Sequence, residues 1–387
     1  MNKPPRGTLR TAAGAVIAAL VGLLLPVFGP AGEAEAATGI RVSNGRVYEA
    51  NGNEFVMRGV NHAHAWYPER TSSITDIAAK GANTVRVVLS SGHRWTRTTT
   101  AEVTSLIGKC KASKLICVLE VHDTTGYGED AAATTLDKAA DYWISIKSAL
   151  AGQENYVIVN IGNEPFGNNN QSAWTDATKS AIGKLRGAGI HHALMVDAPG
   201  WGQDWSNVMR NNAASVFASD PDRNTIFSVH MYGVYDTAAE VQGYLNHFVN
   251  NRLPIVVGEF GDEHSDGNPH EDSIMATAQS LKLGYLGWSW SGNGSGVEYL
   301  DLVSGFNANS LTGWGNRFFN GANGISTTSK PATVYGGTGS TGGSGTGGTA
   351  PNGFPYCTGG SASDPDGDGW GWESNRSCVV RGSSADR

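Results

Sequence analysis

The chain has little charge for its length, and its basic residues are not clustered. Only 16% of the 387 residues are Asp, Glu, Lys or Arg, and the formal net charge is −7. No run of lysine and arginine marks a surface for polyanions, and an acidic chain is repelled by a phosphate backbone. We therefore expect no nucleic-acid partner.

Long apolar segments are also scarce, and outside the N-terminus none approaches the ~20 residues that a membrane-spanning helix needs. The N-terminus itself combines a basic start, an apolar segment from Ala12 to Val27 and a small-x-small site at residues 34–36. This order predicts a secretory signal peptide over residues 1–36 and an extracellular mature protein that begins near Ala37. The alternative is a membrane anchor, for which the apolar segment is short.

Cysteine is rare, because the whole chain has four. They fall into two couples, and pairing within each couple is the simplest of the three possible connectivities. An oxidising extracellular compartment favours such bonds. We therefore predict the disulfides Cys110–Cys117 and Cys357–Cys378. The alternative for the first couple is a pair of buried free thiols.

Short apolar segments rich in β-branched residues, by contrast, recur along most of the chain. After an entry hairpin at 39–54, they begin near residues 55, 84, 115, 156, 193, 226, 254 and 284, with segments of helical spacing between them. Eight strand–helix units over roughly 250 residues are typical of a (β/α)8 TIM barrel, which we place at residues 37–335. The alternative is an open doubly wound sheet, which usually has a glycine-rich phosphate turn after its first strand; this chain lacks one.

Two of these predicted strands end in a glutamate, Glu164 before Pro165 and Glu259 before Phe260. Burying a carboxylate costs several kcal/mol unless it is paired or protonated, so a glutamate is seldom placed there for packing alone. The alternative is a helix cap or a structural ion pair. Two carboxyl groups are also the minimum equipment for hydrolysing a glycosidic bond.

A barrel would bring the residues at its strand ends together, because active sites of this fold lie at the C-terminal face. Polar and aromatic residues gather at these ends and almost nowhere else in the predicted strands. They include His122, Asn163, Asp197, His230, Tyr232 and Trp288. Arg86 is the exception, since it lies inside the second strand. A buried guanidinium needs a carboxylate, and we expect Glu259 to be its partner and to stay ionised.

The C-terminal part of the chain differs in composition. Residues 336–350 are nearly all Gly, Ser and Thr, which predicts a flexible linker. Residues 351–387 form a small module rich in aromatic residues, including Tyr356, Trp370 and Trp372. A module of this size needs a disulfide to fold, and exposed rings in a row would bind insoluble polysaccharide. The alternative is a disordered tail.

Together these motifs resemble those of glycoside hydrolase family 5, in particular the secreted endo-β-1,4-mannanases of actinomycetes. The resemblance covers residues 39–335. It rests on the segments 58–64, 122–127, 161–165, 230–232, 257–260 and 288–290.

The resemblance implies a retaining mechanism with Glu164 as acid/base and Glu259 as nucleophile, and carboxyl groups about 5–5.5 Å apart. It also implies substrate-binding or orienting roles for Arg86, His122, Asn163, His230, Tyr232 and Trp288. Asn163 would bind the sugar 2-hydroxyl, and Trp288 would form the floor of the central subsite. Trp66, Trp201 and Trp205 follow strands and are expected in outer subsites, with ordinary loop packing as the alternative.

The expected substrate is mannan, galactomannan or glucomannan, cleaved internally by a monomeric enzyme without a cofactor. The nearest rival is an endo-β-1,4-glucanase, and a rival of another class is a non-catalytic polysaccharide-binding protein. The C-terminal module resembles a family 10 carbohydrate-binding module through residues 368–373 and 376–378, although members usually have two disulfides. We expect it to bind insoluble cellulose or mannan.

One acidic loop follows Glu259 and crowds five carboxylates into a short segment. They are Asp262, Glu263, Asp266, Glu271 and Asp272. Oxygen ligands of this kind suit Ca²⁺, so a structural calcium ion there is one hypothesis. A solvated acidic loop is the simpler interpretation.

Overall fold

The computed structural model describes residues 39–294, 296–336, 350–352, 354–357, 368–373, 376–380 and 383–386. The predicted signal peptide and nearly all of the predicted linker lie outside these residues, and both stay predictions. Within the described ranges, no helix is long and apolar enough to span a bilayer.

The first described element is the expected entry hairpin. Strands β1 (Arg41–Ser43) and β2 (Arg46–Tyr48) pair antiparallel. The turn between them has positive φ at both Asn44 (47°) and Gly45 (72°). Asn-Gly suits this turn because both residues tolerate the left-handed conformation.

Eight parallel strands then close into a barrel in the order β10-β3-β4-β5-β6-β7-β8-β9. Their bounds are β3 Arg58–His62, β4 Thr84–Leu89, β5 Ile116–Val121, β6 Val157–Asn160, β7 Leu194–Asp197, β8 Thr225–Met231, β9 Ile255–Phe260 and β10 Gly284–Gly287. The TIM barrel predicted from the strand spacing is therefore confirmed.

α-Helices lie between and after these strands. Their bounds are α1 Ser72–Ala79, α2 Thr100–Ala112, α3 Leu136–Ser145, α4 Lys147–Leu150, α5 Trp174–Gly187, α6 Val208–Ser219, α7 Ala238–Asn250, α8 Glu271–Ser280, α9 Gly313–Asn320 and α10 Ile325–Thr328. Helices α2 and α7 begin with capping boxes at Thr99/Glu102 and Thr237/Glu240, which satisfy the first free N–H groups.

The barrel interior has an apolar layer below a charged layer. Strand β5 illustrates this, because alternate residues share one face of a strand. Ile116 and Val118 belong to the apolar cluster inside the barrel, whereas Glu120, two residues further on, contacts Arg86 and His122. The outward residues pack with the helices in a second, larger cluster. The apolar layer supports the charged layer from below.

The cysteine predictions have different outcomes. Cys357 and Cys378 form the predicted disulfide, beside the antiparallel pair β11 (Trp370–Glu373) and β12 (Arg376–Val379). The predicted Cys110–Cys117 bond is wrong in this structure. Both are free thiols buried between α2 and β5, with Sγ atoms 2.8 Å apart against about 2.05 Å for a disulfide. Burial, reinforced by the neighbouring thiol, raises the pKa of Cys117 well above its usual value, which keeps the thiol protonated and unreactive.

Candidate active site

Two glutamates face each other at the C-terminal end of the barrel. Glu164 follows β6 and Glu259 lies at the end of β9, and both are buried, at 8% and 3% exposure. One oxygen of each carboxyl group and a ring nitrogen of His230 lie within 4.8 Å of one another. Carboxyl groups of retaining glycosidases lie about 5–5.5 Å apart, and those of inverting enzymes about 6.5–9.5 Å apart. The separation here fits the retaining geometry and is shorter than the inverting one.

The backbone at Glu164 is unusual. Its φ is +39°, in the left-handed region that a non-glycine residue seldom adopts. The neighbouring chain holds this conformation, because the Asn163 N–H donates to Val121 O at 2.9 Å and the Gly126 N–H donates to Glu164 O at 3.0 Å. Strained backbone of this kind clusters at active sites, where the surrounding structure imposes it.

Arg86 lies at the centre of the charged layer, and all five of its N–H groups donate. The acceptors are Asn160 Oδ1 (2.8 Å), Asn61 Oδ1 (3.0 Å), Glu259 Oε1 (2.7 Å), Asn163 Oδ1 (2.8 Å) and Asp197 Oδ2 (3.0 Å). Although burial favours the neutral form, the charges of Glu120, Asp197 and Glu259 raise the pKa of Arg86 above its usual value. The predicted Arg86–Glu259 pair is therefore present, with a permanent cation beside the glutamate.

The same guanidinium orients Asn163. Since Asn163 Oδ1 accepts from Arg86, its Nδ2 is directed elsewhere, and it donates to Thr125 Oγ1 at 2.9 Å. Because its oxygen and one N–H already have partners, the Asn163 amide has a single N–H left to donate, and this N–H points in a fixed direction.

Glu259 has a donor on each oxygen. Oε1 accepts from Arg86, and Oε2 accepts from the Tyr232 hydroxyl at 3.1 Å. Burial raises the pKa of Glu259, and the charges of His230 and Arg86 act against this rise. Because both oxygens already accept hydrogen bonds, the contacts favour the ionised form.

His230 contacts both glutamates. A register shift between Val229 and His230 interrupts the β8–β9 ladder, and such bulges redirect side chains next to active sites. Its Nδ1 lies 2.8 Å from Glu164 Oε1 and 3.5 Å from Glu259 Oε2, and its Nε2 lies 3.4 Å from Asp197 Oδ2. Burial would lower the pKa of His230, but the charges of Glu259 and Asp197 raise it to about 10. The imidazole is therefore a cation at neutral pH.

Aromatic rings line one side of the site. His122 Nδ1 donates to Glu120 Oε1 at 2.9 Å, and the His122 ring stacks on Trp288, with ring centroids 5.8 Å apart. Trp66 meets His122 edge to face at 5.0 Å and Trp95 at 5.3 Å. The Trp288 indole is also held by Asn293 Oδ1 at 2.9 Å. Trp66 and Trp288 thus both pack against His122, and their predicted roles in sugar binding stay predictions.

Trp201 and Trp205 lie on the loop after β7. The Trp201 ring covers Gly126, where an added Cβ would come within 2.3 Å of it, and its Nε1 donates to Glu129 at 3.1 Å. Trp205 is 51% exposed and donates to Asn168 Oδ1 at 2.9 Å. The Trp201 ring is fixed by its neighbours, whereas the Trp205 ring offers a face to solvent.

Two buried carboxylates of the charged layer, Glu120 and Asp197, were not predicted from the sequence to have a role in the site. Glu120 interrupts the apolar segment 115–121, which is the same signal that singled out Arg86. Asp197 ends β7 and contacts both Arg86 and His230. The sequence signal for both is a charged residue at a position of an apolar strand that faces the barrel interior.

The acidic loop after Glu259 does not form a compact ligand set in this structure. Asp266 accepts from Gln203 and Gly233 and contacts His264, and Asp272 pairs with Arg317. Asp262 has one buried oxygen without a hydrogen-bond partner, and burial raises its pKa to about 6. Within the described ranges, no three acidic or histidine groups of this loop are close enough to share an ion.

A barrel with paired carboxyl groups at its C-terminal face defines a glycoside hydrolase, and comparison with known proteins identifies the family. Residues 48–294 match the family described as cellulase (glycosyl hydrolase family 5), so the chain belongs to that family. Residues 346–380 match a family described as cellulose or protein binding domain.

Three similar proteins have closely related names. The chain is 74% identical to a mannan endo-1,4-beta-mannosidase of Streptomyces lividans, over 98% of this chain and 99% of that protein. It is 58% identical to a protein of the same name from Cellvibrio japonicus, over 89% of this chain and 80% of that one. A crystal structure of a beta-mannanase from Streptomyces thermolilacinus with mannohexaose superposes with a TM-score of 0.76 at 60% identity, covering 77% of this chain and 99% of that structure.

Proposed function

We propose that this protein is an endo-acting, retaining hydrolase of β-1,4-mannosidic bonds in mannan, galactomannan and glucomannan. The observation that carries this proposal is the pair of buried carboxyl groups within 4.8 Å of each other, one of them held by Arg86. The names of the similar proteins support mannan as the substrate.

In the first step, Glu164 gives its proton to the glycosidic oxygen while a Glu259 oxygen attacks the anomeric carbon from the opposite face. The bond from that carbon to the leaving sugar breaks, and a covalent glycosyl-enzyme forms. In the second step, Glu164 takes a proton from water, whose oxygen displaces Glu259. Two inversions give net retention, and the chemistry requires no cofactor.

The surrounding residues hold this pair in place. Arg86 and Tyr232 keep Glu259 ionised and fix its orientation, since each donates to a different oxygen. The Asn163 amide, turned away from Arg86, binds the sugar 2-hydroxyl. Trp288, stacked on His122, provides the apolar face for the central sugar. Trp66 extends that surface, and Trp201 and Trp205 line outer subsites.

The rival function is an endo-β-1,4-glucanase, which the description of the matching family favours. We expect reducing sugar to be released from locust-bean galactomannan at least about ten-fold faster than from carboxymethylcellulose, because discrimination of a hydroxyl by a built hydrogen-bonding site reaches this size or more. Equal or faster release from carboxymethylcellulose would contradict the mannanase assignment and favour the glucanase. A protein that binds both polymers and hydrolyses neither would point to the non-catalytic alternative.

The C-terminal module supplies a second polysaccharide contact. Phe354 and Trp370 are 43% and 37% exposed and meet edge to face, with centroids 4.9 Å apart. Exposed rings suit stacking on sugar chains, and the match to a cellulose-binding family supports insoluble cellulose or mannan as the partner. Tyr356 is also predicted to belong to this surface, and so is Trp372, whose side chain lies outside the described part of the structure. Such a module agrees with a secreted, monomeric enzyme that acts on polymers outside the cell.

A structural calcium ion at the acidic loop stays a prediction. If Asp262, Glu263, Asp266, Glu271 and Asp272 bound Ca²⁺, the ion would stabilise the folded state by mass action and raise the melting temperature. We expect at most a small rise, because Asp266 and Asp272 already have other partners. Melting curves with millimolar calcium and with chelator would check this, and identical curves would exclude the ion.

A further inference from the structure

We propose that Asp197 is a positioning residue for the catalytic pair, which holds His230 as a cation between Glu164 and Glu259. The inference rests on the proposed function and goes beyond it, because Asp197 touches neither the substrate nor a reacting atom. Its carboxylate is completely buried at the end of β7.

The contacts of Asp197 are the first support for this role. A single oxygen, Oδ2, lies 3.0 Å from Arg86 Nη2 and 3.4 Å from His230 Nε2. The other oxygen accepts from Asn160 Nδ2 at 3.0 Å. Arg86 binds Glu259 and His230 binds Glu164, so one carboxylate is connected to both halves of the catalytic pair. The Arg86 charge, acting against burial, lowers the pKa of Asp197 to about 2, so it is an anion throughout the working range.

The charges around His230 are the second support for this role of Asp197. Three basic groups, Arg86, His122 and His230, face three carboxyl groups, Glu120, Asp197 and Glu259, across the interior ends of β4, β5, β7, β8 and β9. Burial alone would lower the pKa of His122, but the charge of Glu120, whose Oε1 lies 2.9 Å from His122 Nδ1, raises it above its usual value. A buried charge without a partner is strongly destabilising. Each of these carboxyl groups has a basic partner within the layer, so Glu164 can keep its proton, as the acid of the first step must.

The net charge of these buried groups stays the same during the first step of the reaction. When Glu164 gives its proton to the leaving oxygen it becomes an anion, and Glu259 loses its charge as its oxygen bonds to the anomeric carbon. One negative charge therefore moves from Glu259 to Glu164, and the sum does not change. The Nδ1 of His230 lies 3.5 Å from the first position of this charge and 2.8 Å from the second. A cation held there stabilises both states, and Asp197 is the fixed anion on its other nitrogen.

The direct test is the titration of His230, followed by NMR on the full chain labelled with ¹⁵N-histidine and assigned by the loss of the signal in His230→Gln. In the unchanged protein we expect the imidazolium across pH 5–8. In Asp197→Asn, which keeps the shape and removes the charge, we expect the midpoint to fall by about one to three pH units. Asp197→Glu restores the charge and should return the midpoint towards that of the unchanged protein.

Kinetics give a second readout. We expect kcat for galactomannan to fall by about ten-fold or more in Asp197→Asn, while KM changes by less than about two-fold, because Asp197 does not touch the sugar. Asp220→Asn is the matched control, since Asp220 is another buried aspartate paired with an arginine, Arg186, outside the charged layer. It should lower thermal stability and leave kcat and the His230 midpoint unchanged.

Three outcomes would overturn the proposal. The first is a His230 midpoint below about pH 7 in the unchanged protein, which is informative even if Asp197→Asn fails to fold. The second is a folded Asp197→Asn variant in which neither the His230 midpoint nor kcat changes. The third is a control variant, Asp220→Asn, that changes kcat and the His230 midpoint as much as Asp197→Asn does. Glu164→Gln and Glu259→Gln separate this inference from the proposed function. If both variants are inactive and any of the three outcomes occurs, only the role of Asp197 is wrong. If both variants are active, the proposed function itself is contradicted.

Discussion

Replacing Glu259 with alanine is expected to lower kcat on galactomannan by about 10⁴-fold or more, since no other group near the anomeric carbon can form the covalent intermediate. Glu164→Ala should have a comparable effect on the polymer, whose leaving sugar needs a proton. Both effects follow from the proposed mechanism, in which the two neighbouring carboxyl groups act on one glycosidic bond. Steady-state kinetics on purified variants would measure them.

Azide distinguishes the two roles, because it fits the space that the deleted carboxylate leaves. In Glu259→Ala, azide would attack the anomeric carbon in place of the nucleophile and give an α-mannosyl azide. In Glu164→Ala, an aryl mannoside with a good leaving group would still form the glycosyl-enzyme on Glu259, and azide would then release a β-mannosyl azide. NMR would identify the products. A β-azide from Glu259→Ala and an α-azide from Glu164→Ala would mean that the two glutamates have the opposite roles. Full activity of either alanine variant without azide would contradict the two-carboxylate mechanism.

Replacing Arg86 is expected to have the largest effect on stability. Arg86→Met removes a buried cation and leaves Glu259, Asp197 and Glu120 without it, which typically costs about 3–5 kcal/mol. Arg86→Lys keeps the charge but cannot reproduce five directed hydrogen bonds, so we expect a folded protein with strongly reduced kcat. Urea unfolding and kinetics on both variants would measure the two effects separately.

Arg58 provides the control for that experiment. It is also fully buried, but its guanidinium donates to neutral acceptors, Thr328 Oγ1, Met57 O, Leu283 O and Gln279 Oε1. Burial lowers the pKa of Arg58 to about 10, in contrast to Arg86, and no carboxylate in the described part of the chain pairs with it. Arg58→Met should therefore cost less stability and leave kcat unchanged. An equal loss of stability in both variants would mean that the buried carboxylates around Arg86 need no cation.

Much of the barrel could be predicted from local sequence features. Each strand has its own apolar, β-branched segment, and the number and spacing of these segments are typical of one fold. The position of the carboxyl groups followed from the same pattern, because Glu164 and Glu259 end strands that had to be parallel. The Arg86–Glu259 pair followed from the cost of a lone buried charge.

The wrong and missing assignments share a physical cause. Cys110 and Cys117 are only seven positions apart in sequence, but whether their sulfur atoms bond depends on how α2 packs on β5, and here the two atoms stay 2.8 Å apart. The carboxylates of the acidic loop are close in sequence, yet Asp266 and Asp272 contact residues far along the chain. Proximity along a chain does not fix side-chain partners, which distant elements supply.

Local features of the sequence specify the fold and the place of the two glutamates at strand ends, because strand periodicity and the exclusion of unpaired charge from a core act locally. The sharing of charge among the buried groups depends on the closed barrel. His230 lies opposite Glu259 because the β8–β9 register shifts by one residue after Val229, and Asp197 contacts both Arg86 and His230 through one oxygen atom. Such contacts depend on closing the barrel, which brings side chains from five strands to within a few ångströms of each other.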